Sequence, residues 1–213
     1  MKTLSAPYIH VDDFIAIEDI SAKLDHVHQE LINITPWAAY PYKPELAFAM
    51  AYGDRAVFLK FYVEEKYIRA IYSEPNDPVY KDSCVEFFVS FGDEKEYYNF
   101  EFNCAGTCLL SFGEERSNRS MLSDELIKSI ATRSSIKPAS SKGSNIGWEL
   151  TLSIPFSAFQ YHQFKSLKGK KCRANFYKCG DDLPEPHFVV WNDIKTEEPD
   201  YHRPEFFGLV EFN

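Results

Sequence analysis

The sequence predicts an all-β fold: an antiparallel β-sandwich, jelly-roll-like, with one N-terminal helix. Three observations carry this expectation. From residue 45 onward, short runs alternate apolar and polar side chains with a period of two. Turn-forming residues separate these runs. One segment alone shows a clear helical stripe, and neither a βαβ rhythm nor Gly-x-Gly-x-x-Gly occurs, which argues against a dinucleotide-binding fold. A length of 213 residues suits one sandwich domain, with residues 1–35 as a strand and helix extension.

In chain order, EDISAKLDHVHQELIN places Ile20, Leu24, Val27 and Leu31 on one stripe, so a helix is expected there, N-capped by Asp19. LAFAMAY and AVFLKFYV alternate on either side of Gly53-Asp54 and predict a hairpin. SEPNDPVYKD, with two prolines and several Asx residues, is a loop. In SCVEFFVSF, Val85, Phe87, Val89 and Phe91 form an apolar face, and Cys84, Glu86, Phe88 and Ser90 a mixed one. YYNFEFN sets Tyr98, Phe100 and Phe102 against Asn99, Glu101 and Asn103, and Ala105-Gly106 turns the chain into TCLLSF. SDELIKSI starts as a short helix capped by Ser123, with a strand following in KSIATRSSI. GWELTLSIPF is a strand ended by Pro155, and KCRANFYKC a strand with Arg173, Asn175 and Tyr177 on one side. GDDLPEP is a loop, HFVVW a short strand, KTEEPDYHRPE a polar loop and FFGLVEF the closing strand. Trp148 and Trp191 read as core and Trp37 as packing at the sandwich edge.

Composition narrows the class of partner. Hydrophobic residues at 45 % and charged residues at 26 % are a globular balance, which excludes wholesale disorder. A net charge of −9 repels phosphate backbones and anionic lipid, so nucleic acid and membrane surfaces are not expected partners. Aromatics reach 16 %, and they serve strands and sugar-stacking surfaces alike. Lys2 is followed by no apolar stretch of signal length, so a cytoplasmic location is expected, or export if a leader was removed. The five cysteines, Cys84, Cys104, Cys108, Cys172 and Cys179, form no Cys-x-x-Cys pair and are expected to be buried, reduced thiols.

Three segments resemble the family 9 carbohydrate-binding modules. YKDSCVEFFVSFGDEKEYYNFEFNCAGTCLLSFG resembles the central block, IGWELTLSIPF the strand ending in an Ile-Pro-like corner, and WNDIKTEEPDYHRPEFFGLVEF the closing segment. With the first hairpin, the resemblance covers roughly residues 36–213. It implies a β-sandwich within a wider set that includes sugar- and haem-binding DOMON domains. It further implies non-catalytic binding of a mono- or disaccharide, or of a glycan chain end, in carbohydrate catabolism. In the family, two loop aromatics sandwich a sugar ring, and Tyr80 and Tyr201 hold those positions here. Both are Trp in members with characterised sugar binding. The Arg of the Tyr-rich strand is replaced by Glu101, and His202 and Arg203 differ from the usual loop residues.

A sugar's C–H face packs on an aromatic plane while its hydroxyls require polar partners. The polar strand faces offer Glu86, Glu101, Asn103, Arg173 and Asn175, and the Tyr201 loop adds His202 and Arg203. Truncating Tyr201 to Ala is expected to weaken sugar affinity by about 1–3 kcal/mol. Two further readings start from the same residues. Glu86 and Glu101 could serve a glycoside hydrolase, which needs two carboxyls about 5–5.5 or 6.5–9.5 Å apart. Met50 or His187 could serve a haem-binding, DOMON-like module as axial ligand. No cofactor is expected. Hard oxygen donors in GDD and NDPVYKD leave a structural Ca2+ conceivable but unassigned, because neither has EF-hand spacing. The oligomeric state is not legible.

Overall fold

The computed structural model describes residues 1–12, 15–92, 95–137 and 145–213. Among these residues, the alternating runs form two stacked sheets. The larger runs β1 (Thr3–Ala6), β13 (Gly208–Phe212), β11 (Lys171–Cys179), β5 (Cys84–Phe91), β6 (Tyr97–Asn103), β7 (Cys108–Gly113) and β8 (Ser120–Met121), with β12 (Phe188–Val190) also on β11. The smaller runs β2 (Gln29–Leu31), β3 (Glu45–Tyr52), β4 (Ala56–Glu65), β10 (Ile146–Pro155) and β9 (Ala131–Lys137). Neighbouring strands pair antiparallel except β1 and β13, which run parallel at the edge of the larger sheet.

The predicted helix is shorter than its stripe. Helix α1 spans Ile17–Leu24, and Ala16 rather than Asp19 stands at its N-cap. Past Leu24, Asp25 accepts bonds from Lys60 Nζ (2.6 Å) and Tyr62 Oη (2.8 Å), which ties the helix end to β4. The chain then turns, and residues 29–31 pair with β3 as β2, leaving Leu31 58 % exposed. An open sheet edge supplied backbone partners that the helical continuation would have had to find within itself. The alanine face of β3 receives α1: Ala49 and Ala51 lie with Phe58 under Ile20 and Leu24. The short helix capped by Ser123 forms as α2 (Asp124–Lys128), where the Ser123 side chain accepts from Leu126 N.

Between the sheets, the odd-numbered apolar faces of β4 and β5 and the even-numbered faces of β3, β6 and β10 meet in one core. Phe176 stacks between Phe48 (3.8 Å between centroids) and Phe87 (5.1 Å). Trp148 and Trp191 are buried, as their apolar neighbours predict, and all five cysteines are free and buried. The Phe-Gly of the closing segment has a steric cause. A Cβ on Gly208 would collide with the Trp191 ring and lie 2.9 Å from the Lys2 carbonyl.

One end of the core is polar. Lys178 and Glu65, from opposite sheets and fully buried, pair at 2.9 Å. Glu65 also accepts from Trp148 Nε1 (2.7 Å), and Lys178 Nζ reaches the Cys179 carbonyl and His187 Nε2, both at 2.8 Å. Burial and the Lys178 charge push His187 down to about 3, so its ring is neutral. Each charge has partners on several sides, which a desolvated ion pair requires.

Outside the larger sheet lies a second buried cluster. Phe88, Tyr97, Tyr177, Val190 and Phe207 project outward and are roofed by Trp37 and Tyr201. The mixed faces of β5, β6 and β11 are therefore covered by loops.

Candidate functional site

The roof does not close over the whole face. A cavity of about 400 Å³ remains, within the usual size range of small-ligand sites. Strand register builds its floor. One row across the sheet reads Tyr177, Glu86, Glu101, Leu109, and the next reads Asn175, Phe88, Asn99, Ser111. Of these eight, Glu86, Asn99, Glu101, Leu109 and Ser111 reach the cavity. Their inner-face neighbours Phe87, Phe100 and Leu110 are locked in the core, so the floor is fixed by packing on its far side.

The walls come from loops. Tyr80, half-buried, stands on the turn Val79–Lys81, and its carbonyl accepts from Asp181 N (3.2 Å) and the Cys179 thiol (3.5 Å). Phe188, half-buried on β12, meets Tyr40 edge-on at 4.8 Å. Arg116, Arg119 and Met121 close a second side, and Asp200, Tyr201 and His202 a third.

The floor carries acids in an unusual state. Glu86 and Glu101 face each other directly across β5 and β6 and are 3 % and 5 % exposed. Burial first, and the Glu101 charge second, push Glu86 well above the ordinary carboxylate range, although the Cys179 thiol donates to its Oε1 at 3.0 Å. Burial raises Glu101 to about 7, against the opposing bond from Asn99 Nδ2 to its Oε1 (2.7 Å). Its other oxygen, Oε2, is buried without a protein partner. Burial likewise lifts Asp181 to about 6.

Arg119 is the organiser of the polar side. Its Nε donates to Asn99 Oδ1 (3.0 Å) and Ser111 Oγ (2.8 Å), and its terminal nitrogens to the carbonyls of Gly113, Glu115 and Tyr97. The guanidinium also lies 4.3 Å over the Tyr97 ring. Asn99 thereby has its oxygen engaged and its amide turned toward Glu101. Tyr97 Oη shares a 2.9 Å hydrogen bond with His202 Nδ1. Burial and the two arginines lower His202 to about 3, so it meets a ligand as a neutral ring.

Of the residues singled out from the sequence, Tyr80, Glu86, Glu101, Tyr201 and His202 line this cavity. Asn103, Arg173, Asn175 and Arg203 do not. Asn103 is buried in the loop anchor, donating to the Tyr72 carbonyl and Asp82 and accepting from Ala105 N and Thr107 N. Asn175 shares the outward face, but segment 192 runs over it and takes its bonds. Arg173 donates to the carbonyls of Pro204 and Glu205, and Arg203 pairs with Glu205. Facing the same side of a sheet is not enough when a loop covers part of it.

Tyr201 is not the free plate that a two-ring clamp requires. It is 7 % exposed, one face lies flat on Tyr177 (4.2 Å, 8°), and its hydroxyl donates to the Lys178 carbonyl at 2.9 Å. Phe188, which sequence reading missed, is the half-buried aromatic beside Tyr80. Its signal was the alternation in HFVVW, which turns Val189 inward and Phe188 out. Asn99 was legible as a polar position next to Glu101. Arg119 was not, because its loop has no periodicity.

The alternative ligand readings meet specific obstacles. Met50 is packed in the core, and both ring nitrogens of His187 are occupied, by the Glu185 carbonyl and by Lys178, so neither offers a free haem ligand atom. In NDPVYKD, Asp82 is bonded by Arg69, Ile71 N, Tyr72 N and Asn103, and Asp77 by Ser73 N and Glu74 N; in GDD, Asp181 lines the cavity and Asp182 lies 3.6 Å from Arg69. Among the described residues, the group close enough to share one ion is Cys84, Glu86 and Cys179, a thiol-rich set that calcium disfavours. Glu86 and Glu101 rise side by side from one floor, each anchored by a neighbour.

Comparison with known proteins agrees with this architecture. A protein from Bacteroides uniformis ATCC 8492, proposed by its name to bind carbohydrate, is 38 % identical, with a TM-score of 0.92 over 100 % of this chain and 99 % of that one. Two structures of a family 9 carbohydrate-binding module from Caldicellulosiruptor kristjanssonii share the fold at low identity. The glucose complex gives 13 % identity and a TM-score of 0.64 over 100 % of this chain and 96 % of that one. The cellotriose complex gives 12 % and 0.62 over 99 % and 93 %. No curated protein matches the chain. A model of one family, described as carbohydrate-binding family 9, matches residues 17–212. The chain, with its sandwich and its loop-walled cavity on the outer sheet face, belongs to carbohydrate-binding family 9.

Proposed function

We propose that this chain is a non-catalytic carbohydrate-binding domain that holds a saccharide, or the end of a glycan chain, in the cavity over Glu86 and Glu101. One observation carries the reading: Glu101, in the cavity floor, keeps a buried oxygen without a protein partner, and the same cavity presents half-buried aromatic surface from Tyr80 and Phe188. Sugars pair apolar C–H faces with hydroxyl donors, and this cavity supplies a complement to each. Acceptors come from Glu86, Glu101 and Asp181, and Asn99 and Ser111 are held in place by Arg119. The glucose and cellotriose complexes of the Caldicellulosiruptor module support the ligand class, and the Bacteroides protein supports it at closer range.

The test is titration calorimetry with glucose, cellobiose and cellotriose. Saturable binding at millimolar concentration or below, weakened by Tyr80→Ala and by Phe188→Ala, is the expected result. Absence of heat for all three, together with a blank glycan array, overturns the reading.

A further inference from the structure

The cavity floor is more acidic than a neutral sugar requires. Glu86 and Glu101 are buried side by side, and Asp181 is close enough that its charge acts on both. Asp200 also lines the cavity. Two arginines, Arg116 and Arg119, share the lining with these four acids. Arg119 spends its guanidinium on Asn99, Ser111 and three backbone carbonyls and on the Tyr97 face. Arg116, exposed on its loop, also lines the cavity and its charge acts on Glu86, Glu101 and Asp181, and Lys81 and Lys178 act on Asp181 from outside the lining. His202 is neutral, and Cys84 and Cys179 are held as thiols by burial. Glu101 lines the cavity, and its Oε2 is buried there without a donor from the protein.

Resting on the carbohydrate-binding reading, we propose that the preferred ligand carries an ammonium group: a hexosamine with a free amine, seated with its nitrogen at Glu101 and Glu86. An ammonium supplies three donors and one positive charge to a lining of four acids and two arginines, one of which is already engaged by five acceptors. In a desolvated site a complementary charge is worth far more than in water. The overall charge of −9 steers cations toward the protein and anionic sugars away. Apolar contact from Tyr80 and Phe188 holds the ring, and the acids choose its substituent.

The pH dependence follows from the same groups. Near pH 7 an ammonium favours the ionised acids and drives their protons out. As the pH falls below about 6, the acids hold their protons in the free protein, and the ligand must displace them. The advantage of the amine therefore shrinks on acidification.

The experiment compares glucosamine, glucose, N-acetylglucosamine and glucuronate by calorimetry at pH 7 and pH 5. Glucosamine is expected to bind at least about ten-fold tighter than glucose and N-acetylglucosamine at pH 7, with proton release read as a binding heat that varies with the ionisation enthalpy of the buffer, and glucuronate most weakly. The ratio is expected to fall at pH 5, and to fall toward one in Glu101→Gln and in Asp181→Asn. Unchanged melting temperatures at pH 5 verify that both variants fold. Equal affinity for glucose and glucosamine at pH 7, or tighter binding of glucuronate, overturns the ammonium preference and leaves carbohydrate binding standing. Absence of binding by every sugar overturns both.

Discussion

Tyr80 and Tyr201 hold equivalent-looking loop positions in the sequence, and the structure separates them. Tyr201→Ala removes a ring that is 7 % exposed, stacked at 4.2 Å on Tyr177 and hydrogen-bonded through its hydroxyl to the Lys178 carbonyl. Large-to-small substitution of a buried aromatic costs about 3–5 kcal/mol. The lost hydroxyl bond accounts for about 0.5–1.5 kcal/mol of it, which Tyr201→Phe isolates. Tyr80→Ala removes a half-buried ring from a turn whose backbone bonds to Cys179 and Asp181 survive the change. Its stability cost is expected to be about 1 kcal/mol or less, and its cost in sugar affinity about 1–2 kcal/mol. Urea unfolding reads the first quantity and titration calorimetry the second. The affinity loss of about 1–3 kcal/mol that the sequence suggested for Tyr201→Ala thus gives way to a stability loss. A Tyr201→Ala protein as stable as the wild type refutes the assignment of that ring to the roof, and a Tyr80→Ala protein with unchanged affinity refutes the aromatic wall.

Three further outcomes are expected. Lys178→Met strands the Glu65 carboxylate between the sheets, so unfolding should become easier by about 3–5 kcal/mol in urea, and Lys178→Met with Glu65→Gln should recover part of the loss. Burial raises Glu101 to about 7 and Glu86 also upward, so their contribution to stability is complete below the ordinary carboxylate pKa and declines as the pH rises toward 7. His187 and His202, lowered to about 3, contribute in the opposite sense below their unfolded pKa. The clean readout is therefore the difference between Glu101→Gln and wild type, which should shift in favour of the variant from pH 5 to pH 8 by on the order of a few kcal/mol. All five thiols are buried, with Cys84 and Cys104 raised to about 12 by burial, so a thiol reagent should react with none in the native protein and with all five in denaturant.

Most of the sandwich was legible because period-two alternation reports directly on which side of a strand meets the core. Val85 and Phe87 against Glu86, and Phe100 against Glu101, fixed both the strands and the faces. The helix was over-extended because Val27 and Leu31 continue its stripe, and sequence periodicity carries no information about an open sheet edge nearby. The parallel β1–β13 pair joins residues at opposite ends of the chain and leaves no local trace. At the site, alternation found Glu86 and Glu101 but could not say which part of the outward face the loops cover. That is why Asn103, Asn175 and Arg173 were grouped with them. Arg119 became visible only once its loop had a position, and Phe188, whose outward turn the alternation in HFVVW signals, joined the site only once the cavity beside it was in place.

The cavity floor and the hydrophobic core are two sides of the same four strands. No floor side chain can change its spacing without dragging a phenylalanine or leucine through a close-packed interior, so the ligand meets a template whose ordering cost was met during folding. The loops carry no such tether. Related proteins can exchange wall residues, and with them the saccharide they select, while the underlying grid of polar groups keeps its pitch.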